Sequence, residues 1–219
     1  MVLDSSVLVV VPYRLVQSVV GEERKQIVRV VVINHITLDG VMQGPGRADE
    51  DTRDGFEHGG WAVSGSDEVV AQALGKRLGR PDGGLLLGRR SYEDMLAAWN
   101  AHGGPFKDAL NSARKYVASA RTATKLAWPN STLLRDNVPA AVAELKQSLS
   151  GDLVIMGSGQ LIGSLLPLGL IDEYLLMIHP LVLGSGRRLF ELDHHPIKLR
   201  LIDSTTATTG VIIATYSPA

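Results

Sequence analysis

Short runs of apolar, mostly β-branched residues alternate along the chain with stretches in which apolar residues recur at helical spacing. Runs of the first kind predict buried strands, because β-branched side chains fit a pleated sheet, whereas the helical spacing predicts helices with one apolar face. The predicted strands span residues 27–33, 83–88, 115–119, 131–134, 152–156, 171–179, 197–206 and 209–216. The predicted helices span residues 67–78, 91–99, 105–112, 138–149 and 160–166.

This alternation predicts an α/β fold, with a mixed, mostly parallel central sheet and helices on both faces. The last two predicted strands leave no room for a crossover helix, so we expect them to form a C-terminal antiparallel hairpin at one edge of the sheet. Residues 27–219 contain no repeat or linker and are expected to form one domain. Residues 1–26 are interpreted as an N-terminal extension.

Composition narrows the range of functions. The chain has 219 residues, 45% of them hydrophobic, and a net charge of -1, so it lacks the basic footprint of a nucleic-acid-binding or membrane-surface protein. The early apolar run at residues 7–11 is much shorter than the roughly 20 residues that span a bilayer. The chain has no cysteine, which is typical of a reducing compartment. We therefore expect a cytoplasmic protein whose partner is a small molecule.

The glycine-rich step Gly157-Ser158-Gly159 stands between a predicted strand and a predicted helix. Ligands of open α/β sheets bind at the carboxyl ends of strands, where the unpaired N–H groups of a helix can bind phosphate. Glycine permits the tight turn and the close approach of a ligand to the backbone. Taken alone, the motif is better explained by close packing of helix against strand.

Two other strand ends carry related residues. Gly88-Arg89-Arg90-Ser91 follows the second strand, with Ser91 as the predicted helix cap, and Ser119 and Arg121 end the third. Arginine can hold a terminal phosphate with two parallel hydrogen bonds. One such arginine alone would be read as a solvated surface charge. Three loops at one edge of the sheet instead favour a dinucleotide with an additional 2'-phosphate, NADP(H).

Several motifs in a fixed order resemble those of the dihydrofolate reductase-like superfamily. They read ITLDGVMQGPG, FEHGGW, LLLGRRSYE and VIMGSGQLIGSLLPLGLIDEYLLMIHPLVLGSGRRLF. The chain resembles more closely the C-terminal reductase domain of the bifunctional deaminase-reductase of riboflavin biosynthesis, and its stand-alone relatives, over about residues 27–216. The resemblance implies a homodimer that uses NADPH to reduce a small heterocyclic substrate, as a 5-amino-6-(5-phosphoribosylamino)uracil reductase does.

The resemblance also implies a role for individual residues. It places the cofactor pyrophosphate at Gly157, Ser158, Gly159, Gln160, Leu161 and Ile162. It places the adenosine phosphates near Gly88, Arg89, Arg90 and Ser91, and the 2'-phosphate or adenine at Ser119 and Arg121. The segment that begins at Asn34 and ends at Val41 falls where nicotinamide and substrate meet.

Asp39, in the sequence Thr37-Leu38-Asp39-Gly40, is the candidate catalytic residue. Its carboxylate could orient a substrate or relay a proton, but an Asp-Gly turn explains the residue equally well. No metal site is predicted. The acidic residues at 49–57 lack the spacing of a calcium loop, and the adjacent His194 and His195 would point to opposite faces of a strand.

The chain departs from its relatives in two respects. The acid that dihydrofolate reductases carry on their first long helix has no clear counterpart, which puts folate reduction in doubt. No zinc-binding His/Cys pattern precedes residue 27, so we expect no deaminase activity. Two alternatives stay open: a dihydrofolate or pterin reductase, and a nucleotide-binding protein without turnover. For the dimer, we expect residues 174–178 and the hairpin at 199–216 to offer an edge of the sheet.

Overall fold

The computed structural model describes residues 28–78, 82–121, 123–190 and 196–219. The proposed N-terminal extension and the pair His194-His195 lie outside these residues. The strands are β1 (Val30–Thr37), β2 (Gly84–Gly88), β3 (Arg114–Ala118), β4 (Ser131–Leu134), β5 (Leu153–Met156), β6 (Glu173–His179), β7 (Leu199–Thr206) and β8 (Ile212–Pro218). The α-helices are α1 (Glu68–Leu78), α2 (Arg89–His102), α3 (Gly104–Ser112), α4 (Val138–Ser148) and α5 (Gly159–Leu165). Short 3-10 turns lie at Arg53–Gly55, Val63–Gly65 and Leu166–Leu168.

All eight of these strands form one sheet in the order β4-β3-β2-β5-β1-β6-β8-β7. The pairs from β4 to β6 are parallel, and β8 runs antiparallel to both β6 and β7. The predicted fold class is therefore confirmed, including the C-terminal hairpin at one edge. Because these six parallel strands end on the same side, the loops that follow them meet at one edge of the sheet.

The sheet separates two apolar cores. Val30 and Val32 of β1 face the first core, which α4 and α5 cover through residues such as Val142 and Ile162. Val31 and Ile33 face the second core, which α1, α2 and α3 cover. This alternation follows from the two-residue period of a strand and explains why β1 is apolar almost throughout.

Three predicted boundaries are corrected. Strand β1 continues to Thr37 instead of stopping at Ile33, because its ladder with β6 extends to the pair Thr37 and His179 despite the polar side chains. Helix α2 begins at Arg89 with Gly88 as its N-cap, so Ser91 lies inside the first turn and is not the cap. The final hairpin turns over residues 207–211, a longer connection than the two residues predicted.

The predicted sheet edge at residues 174–178 is also wrong. Strand β6 is paired with β1 on one side and with β8 on the other, so it lies inside the sheet. The edge beyond β8 is β7, which is paired on one side. Its residues are exposed almost throughout, including Leu201 and Ile202.

Ion pairs between side chains connect the amino ends of the central strands. Arg29 binds Asp152 at 2.6 Å and Glu173 at 2.8 Å, and Arg77 of α1 also binds Glu173. These pairs join β1, β5, β6 and a helix at the end of the sheet that lies opposite the glycine-rich loops. Within the described ranges, no helix combines the length and apolar character that crossing a bilayer requires.

Candidate active site

The carboxyl ends of β1, β2, β3 and β5 open into one cleft of about 2200 Å³. All the residues predicted to bind cofactor line this cleft except Ile162, namely Asn34, Gly88, Arg89, Arg90, Ser91, Ser119, Arg121, Gly157, Ser158, Gly159, Gln160 and Leu161. Ile162 is fully buried in the first core. The tertiary structure thus brings together three loops that are separated by up to 70 residues in sequence.

The hydroxyl of Ser158 joins two of these loops. The Gly88 N–H donates to Ser158 Oγ at 2.9 Å, and Ser158 Oγ donates to Ser91 Oγ at 2.8 Å. Ser158 has a φ of 60° and Gly157 has a φ of 63°, so the chain makes two successive left-handed residues before α5. This backbone directs the serine side chain across to the loop after β2 and is the reason that glycine precedes it.

Asn34 connects the same loop to β1. The Gly157 N–H donates to Asn34 Oδ1 at 2.9 Å, which fixes the orientation of the amide. The other amide atom, Nδ2, is buried and has no hydrogen-bond partner among the described residues. The residue is only 5% exposed. A buried amide donor without a partner is costly, so this atom requires an acceptor that the described residues do not provide, either a water molecule or a ligand.

The arginines of the cleft are not equivalent. Arg89 forms an ion pair with Glu93 one turn further along α2. Arg90 and Arg121 are exposed, and no carboxylate of the described residues pairs with either. Ser119 Oγ accepts a hydrogen bond from the Arg121 N–H at 3.1 Å, which shapes the loop after β3. Arg90 and Arg121 are therefore the guanidinium groups that remain free for a phosphate.

The long loop after β1 forms one wall of the cleft. Gln43 is 4% exposed; its Nε2 donates to the carbonyls of Asp51 and Arg53, and its Oε1 accepts from the Arg187 N–H. Arg47 also binds Asp94 of α2 at 2.7 Å. The acidic segment is thus tied to the body of the protein. Among the described residues, no group of three or more His, Asp or Glu side chains is arranged to hold a metal ion.

The structure does not bring Asp39 into the cleft lining. Its carboxylate accepts hydrogen bonds from Thr37 Oγ1 and from the N–H groups of Leu183 and Gly184, and Arg188 lies 3.6 Å away. The hydrogen bond from Thr37, followed by those from the backbone, lowers the pKa of Asp39 to about 2. These contacts describe an Asp-Gly turn that joins the loops after β1 and β6, the alternative to the catalytic role.

Sequence reasoning missed a histidine pair at the end of β1. His35 lines the cleft, and its Nδ1 lies 2.9 Å from Nε2 of His179 on β6. Burial, and then the nearby His179, lower the pKa of His35 to about 4. Burial also lowers the pKa of His179. The only sequence signal was the presence of polar residues at the ends of two apolar strands.

An apolar wall closes the other side of the cleft. It consists of residues from α1, α2 and the start of α3, namely Ala71, Leu74, Gly75, Leu78, Met95, Ala98, Trp99, Pro105 and Phe106. The rings of Trp99 and Phe106 meet at 67° with their centroids 4.5 Å apart. The residues of α1 on this wall include no carboxylate, which agrees with the missing acid noted in the sequence.

Residues 28–213 match the family model described as the RibD C-terminal domain. The chain belongs to the RibD C-terminal domain family. A sequence relative in this comparison is the uncharacterised Bacillus subtilis (strain 168) protein YyaP, which is 27% identical over 198 residues, 86% of this chain and 94% of YyaP.

Solved structures agree with the RibD-type fold. A Shewanella sp. PV-4 protein provisionally assigned to riboflavin biosynthesis aligns with a TM-score of 0.67, 22% identity, and coverage of 87% of this chain and 99% of that one. A deaminase/5-amino-6-(5-phosphoribosylamino)uracil reductase from Thermotoga maritima aligns with a TM-score of 0.58 and 12% identity. The alignment covers 88% of this chain and 57% of that one. Dihydrofolate reductase from Enterococcus faecalis, complexed with NADP(H), aligns with a TM-score of 0.56 and 12% identity. The alignment covers 87% of this chain and 96% of that one. The predicted dihydrofolate reductase-like fold and the predicted family are both confirmed.

We expect Ser158→Ala to destabilise the domain by about 1–2 kcal/mol, because the Gly88 N–H loses its acceptor. Ser158→Gly should cost less, since glycine adopts the left-handed backbone without strain. Urea unfolding measures both changes. Ser164→Ala, at an exposed position of α5, removes a hydroxyl that bonds only to the Leu161 carbonyl of its own helix; it is the control and should be nearly neutral. A Ser158→Ala protein as stable as the wild type would contradict the role given to this hydroxyl.

The histidine pair predicts how stability depends on pH. The folded pKa of His35, about 4, lies below its ordinary value of 6.5. Between these values the unfolded chain binds more protons, so stability is complete above pH 6.5 and falls by about 2–3 kcal/mol as the pH drops to 4. His35→Phe should flatten this slope in unfolding experiments, whereas His58→Phe, at an exposed site, should not. An unchanged slope in His35→Phe would show that the pair is not responsible.

Proposed function

We propose that this member of the RibD C-terminal domain family is an NADPH-dependent reductase of a small heterocyclic substrate. The observation that carries the proposal is the convergence of three strand-end loops on one cleft, with the guanidinium groups of Arg90 and Arg121 free of ion pairs and Asn34 Nδ2 without a hydrogen-bond partner in the described residues. The solved dihydrofolate reductase with NADP(H) supports the same cofactor here.

The residues present fit NADPH. The first-turn amides of α2 and α5 would face the pyrophosphate, and Arg90 and Arg121 would pair with the terminal phosphate. Asn34 Nδ2 would donate to an acceptor on the cofactor, because Asn34 holds the Gly157 loop and the family resemblance places residues 34–41 near the nicotinamide. Bound NADPH would supply the hydride, while the protein orients the two reactants and excludes water.

The substrate side of the cleft fits a flat ring. Trp99, Phe106 and Met95 offer apolar and aromatic surface opposite the sheet. An aminouracil of the type named for the Thermotoga maritima reductase is the leading candidate class. The absence of a carboxylate on the cleft face of α1 speaks against the pterin chemistry of dihydrofolate reductases. The cysteine-free chain and its small net charge support a cytoplasmic enzyme that acts on a small molecule, without nucleic acid or membrane as a partner.

We expect NADPH to bind at least tenfold more tightly than NADH, since a charged hydrogen bond to phosphate contributes about 1.5–3 kcal/mol. Arg121→Ala and Arg90→Ala should each weaken NADPH binding and leave NADH binding almost unchanged in calorimetry. Arg114→Ala, an exposed arginine at the opposite end of β3, is the matched control. Equal affinities of the wild type for the two cofactors would contradict the assignment of these arginines.

Oxidation of NADPH in the presence of pyrimidine and pterin compounds tests the reductase activity itself. Turnover of an aminouracil would support the proposal, and turnover of dihydropterins alone would favour the pterin reductase. Tight binding of NADPH without turnover of any compound would support a nucleotide-binding protein instead.

We also propose a homodimer built on the hairpin of β7 and β8. Edge strand β7 exposes Leu201 and Ile202 by 53% and 54%, and Ile212 of β8 is 42% exposed. Exposed apolar residues along an unpaired edge require protection. Light scattering should give twice the chain mass of 23.5 kDa. Ile202→Lys should shift the mass towards the monomer, whereas Leu168→Lys, an exposed apolar site elsewhere, should not; a monomeric wild type at micromolar concentration would refute the dimer.

A further inference from the structure

The histidine pair at the carboxyl ends of β1 and β6 has no part in binding the cofactor as described above. His179 is 4% exposed and its ring meets the edge of Trp61 at a centroid distance of 5.2 Å. A Cβ added to Gly65 would lie 2.5 Å from His179 Nδ1, so the ring is packed directly against that glycine. The ring of His179 is therefore fixed, and it fixes the ring of His35 through the 2.9 Å contact.

The position of His35 places it on the substrate side of β1. Consecutive side chains of a strand point to opposite faces, and Asn34 points to the Gly157 loop. His35 therefore shares the face of Ile33, which packs in the second core with residues of α1 and α2. Its ladder partner Met177 lines the same cleft. Asn34, on the side of the Gly157 loop, and His35, on the side of the apolar wall, are therefore neighbours in β1.

One proton lies between His35 Nδ1 and His179 Nε2. If His35 carried it, the remaining proton of neutral His179 would lie on Nδ1, which faces Gly65 and has no acceptor within the described ranges. A buried N–H without an acceptor is disfavoured at His179, which is only 4% exposed, whereas His35 lines the open cleft, where water or a ligand can accept from its Nε2–H. The proton therefore belongs to His179, and His35 carries its own proton on Nε2. Apart from His179, no titratable group among the described residues shifts the pKa of His35 appreciably, so the pair is neutral at pH 7.

We propose that His35 contacts the substrate through a neutral Nε2–H donor, and that His179 is a positioning residue that holds His35 in this tautomer. This inference rests on the proposed reductase function and deepens it. A fixed neutral donor selects a substrate with an acceptor beside the carbon that receives hydride, such as a carbonyl oxygen or an unprotonated ring nitrogen. It disfavours a substrate that presents an N–H or a cation at the same place, because two donors would then meet in a buried site.

The test is ¹⁵N NMR of the histidine side chains in the wild-type protein saturated with NADP⁺, with 5,6-diaminouracil as the probe. We expect His35 Nε2 to give the signal of a protonated nitrogen and to shift when the probe is added. His35→Phe keeps an aromatic ring at this position, and the signal that it loses is thereby assigned to His35. It should weaken probe binding at least about fivefold, while NADP⁺ still binds. His179→Phe keeps the ring against Trp61 and should leave His35 in a mixture of tautomers. His58→Phe, outside the cleft, is the matched control and should change neither.

The outcomes separate the two proposals. This inference is overturned if His35 Nε2 is unprotonated, if the probe does not bind, or if the probe leaves the Nε2 signal unchanged. It is also overturned if His35→Phe binds the probe with wild-type affinity. Each of these results leaves the cofactor assignment intact. Failure of the wild type to bind NADPH and NADP⁺ would overturn the proposed function and this inference with it. If His35→Phe does not fold, the wild-type tautomer and its response to the probe decide the question alone.

Discussion

The cleft depends on one side chain, the hydroxyl of Ser158, which accepts from the loop after β2 and donates back to the helix that follows it. These loops come from adjacent strands, and their amides could bind one common ligand only while the loops keep a fixed separation. A side chain that crosses the gap supplies that separation without filling the space in front of the helix ends. The left-handed backbone at residues 157 and 158 is the conformational cost of aiming the hydroxyl there.

The two ends of the sheet differ in whether their polar side chains have partners within the protein. At the amino end, Arg29 and Arg77 are paired with acidic side chains, so the polar groups there are satisfied within the protein. At the carboxyl end, Asn34 Nδ2 is buried without a partner in the described residues, and Arg90 and Arg121 are free of ion pairs there. Unsatisfied polar groups reduce folding stability, and a ligand that satisfies them gains the corresponding binding free energy.

The polar groups at the centre of the cleft are uncharged, and burial explains why. An ionised side chain placed between two apolar cores would lose its hydration, whereas an amide and a neutral imidazole keep hydrogen-bonding capacity at a smaller desolvation cost. The mutual contact of His35 and His179 also satisfies one nitrogen of each ring. Arg90 and Arg121, by contrast, are exposed, so their charges retain hydration.

The sequence alone determined the fold class, most of the elements and most of the residues that line the cleft, because strand and helix periodicity is local and glycine-rich loops at strand ends have a local signature. It misplaced the end of β1, the start of α2 and the sheet edge, since these depend on which strands pair. It also offered Asp39 as catalytic and overlooked His35. Only the tertiary structure shows their surroundings: Asp39 accepts hydrogen bonds from amides 144 and 145 residues away, and His35 is kept neutral first by burial and then by His179, also 144 residues away. Hydrogen bonds and burial of this kind are set by the packing of distant segments, and no local pattern in the chain records them.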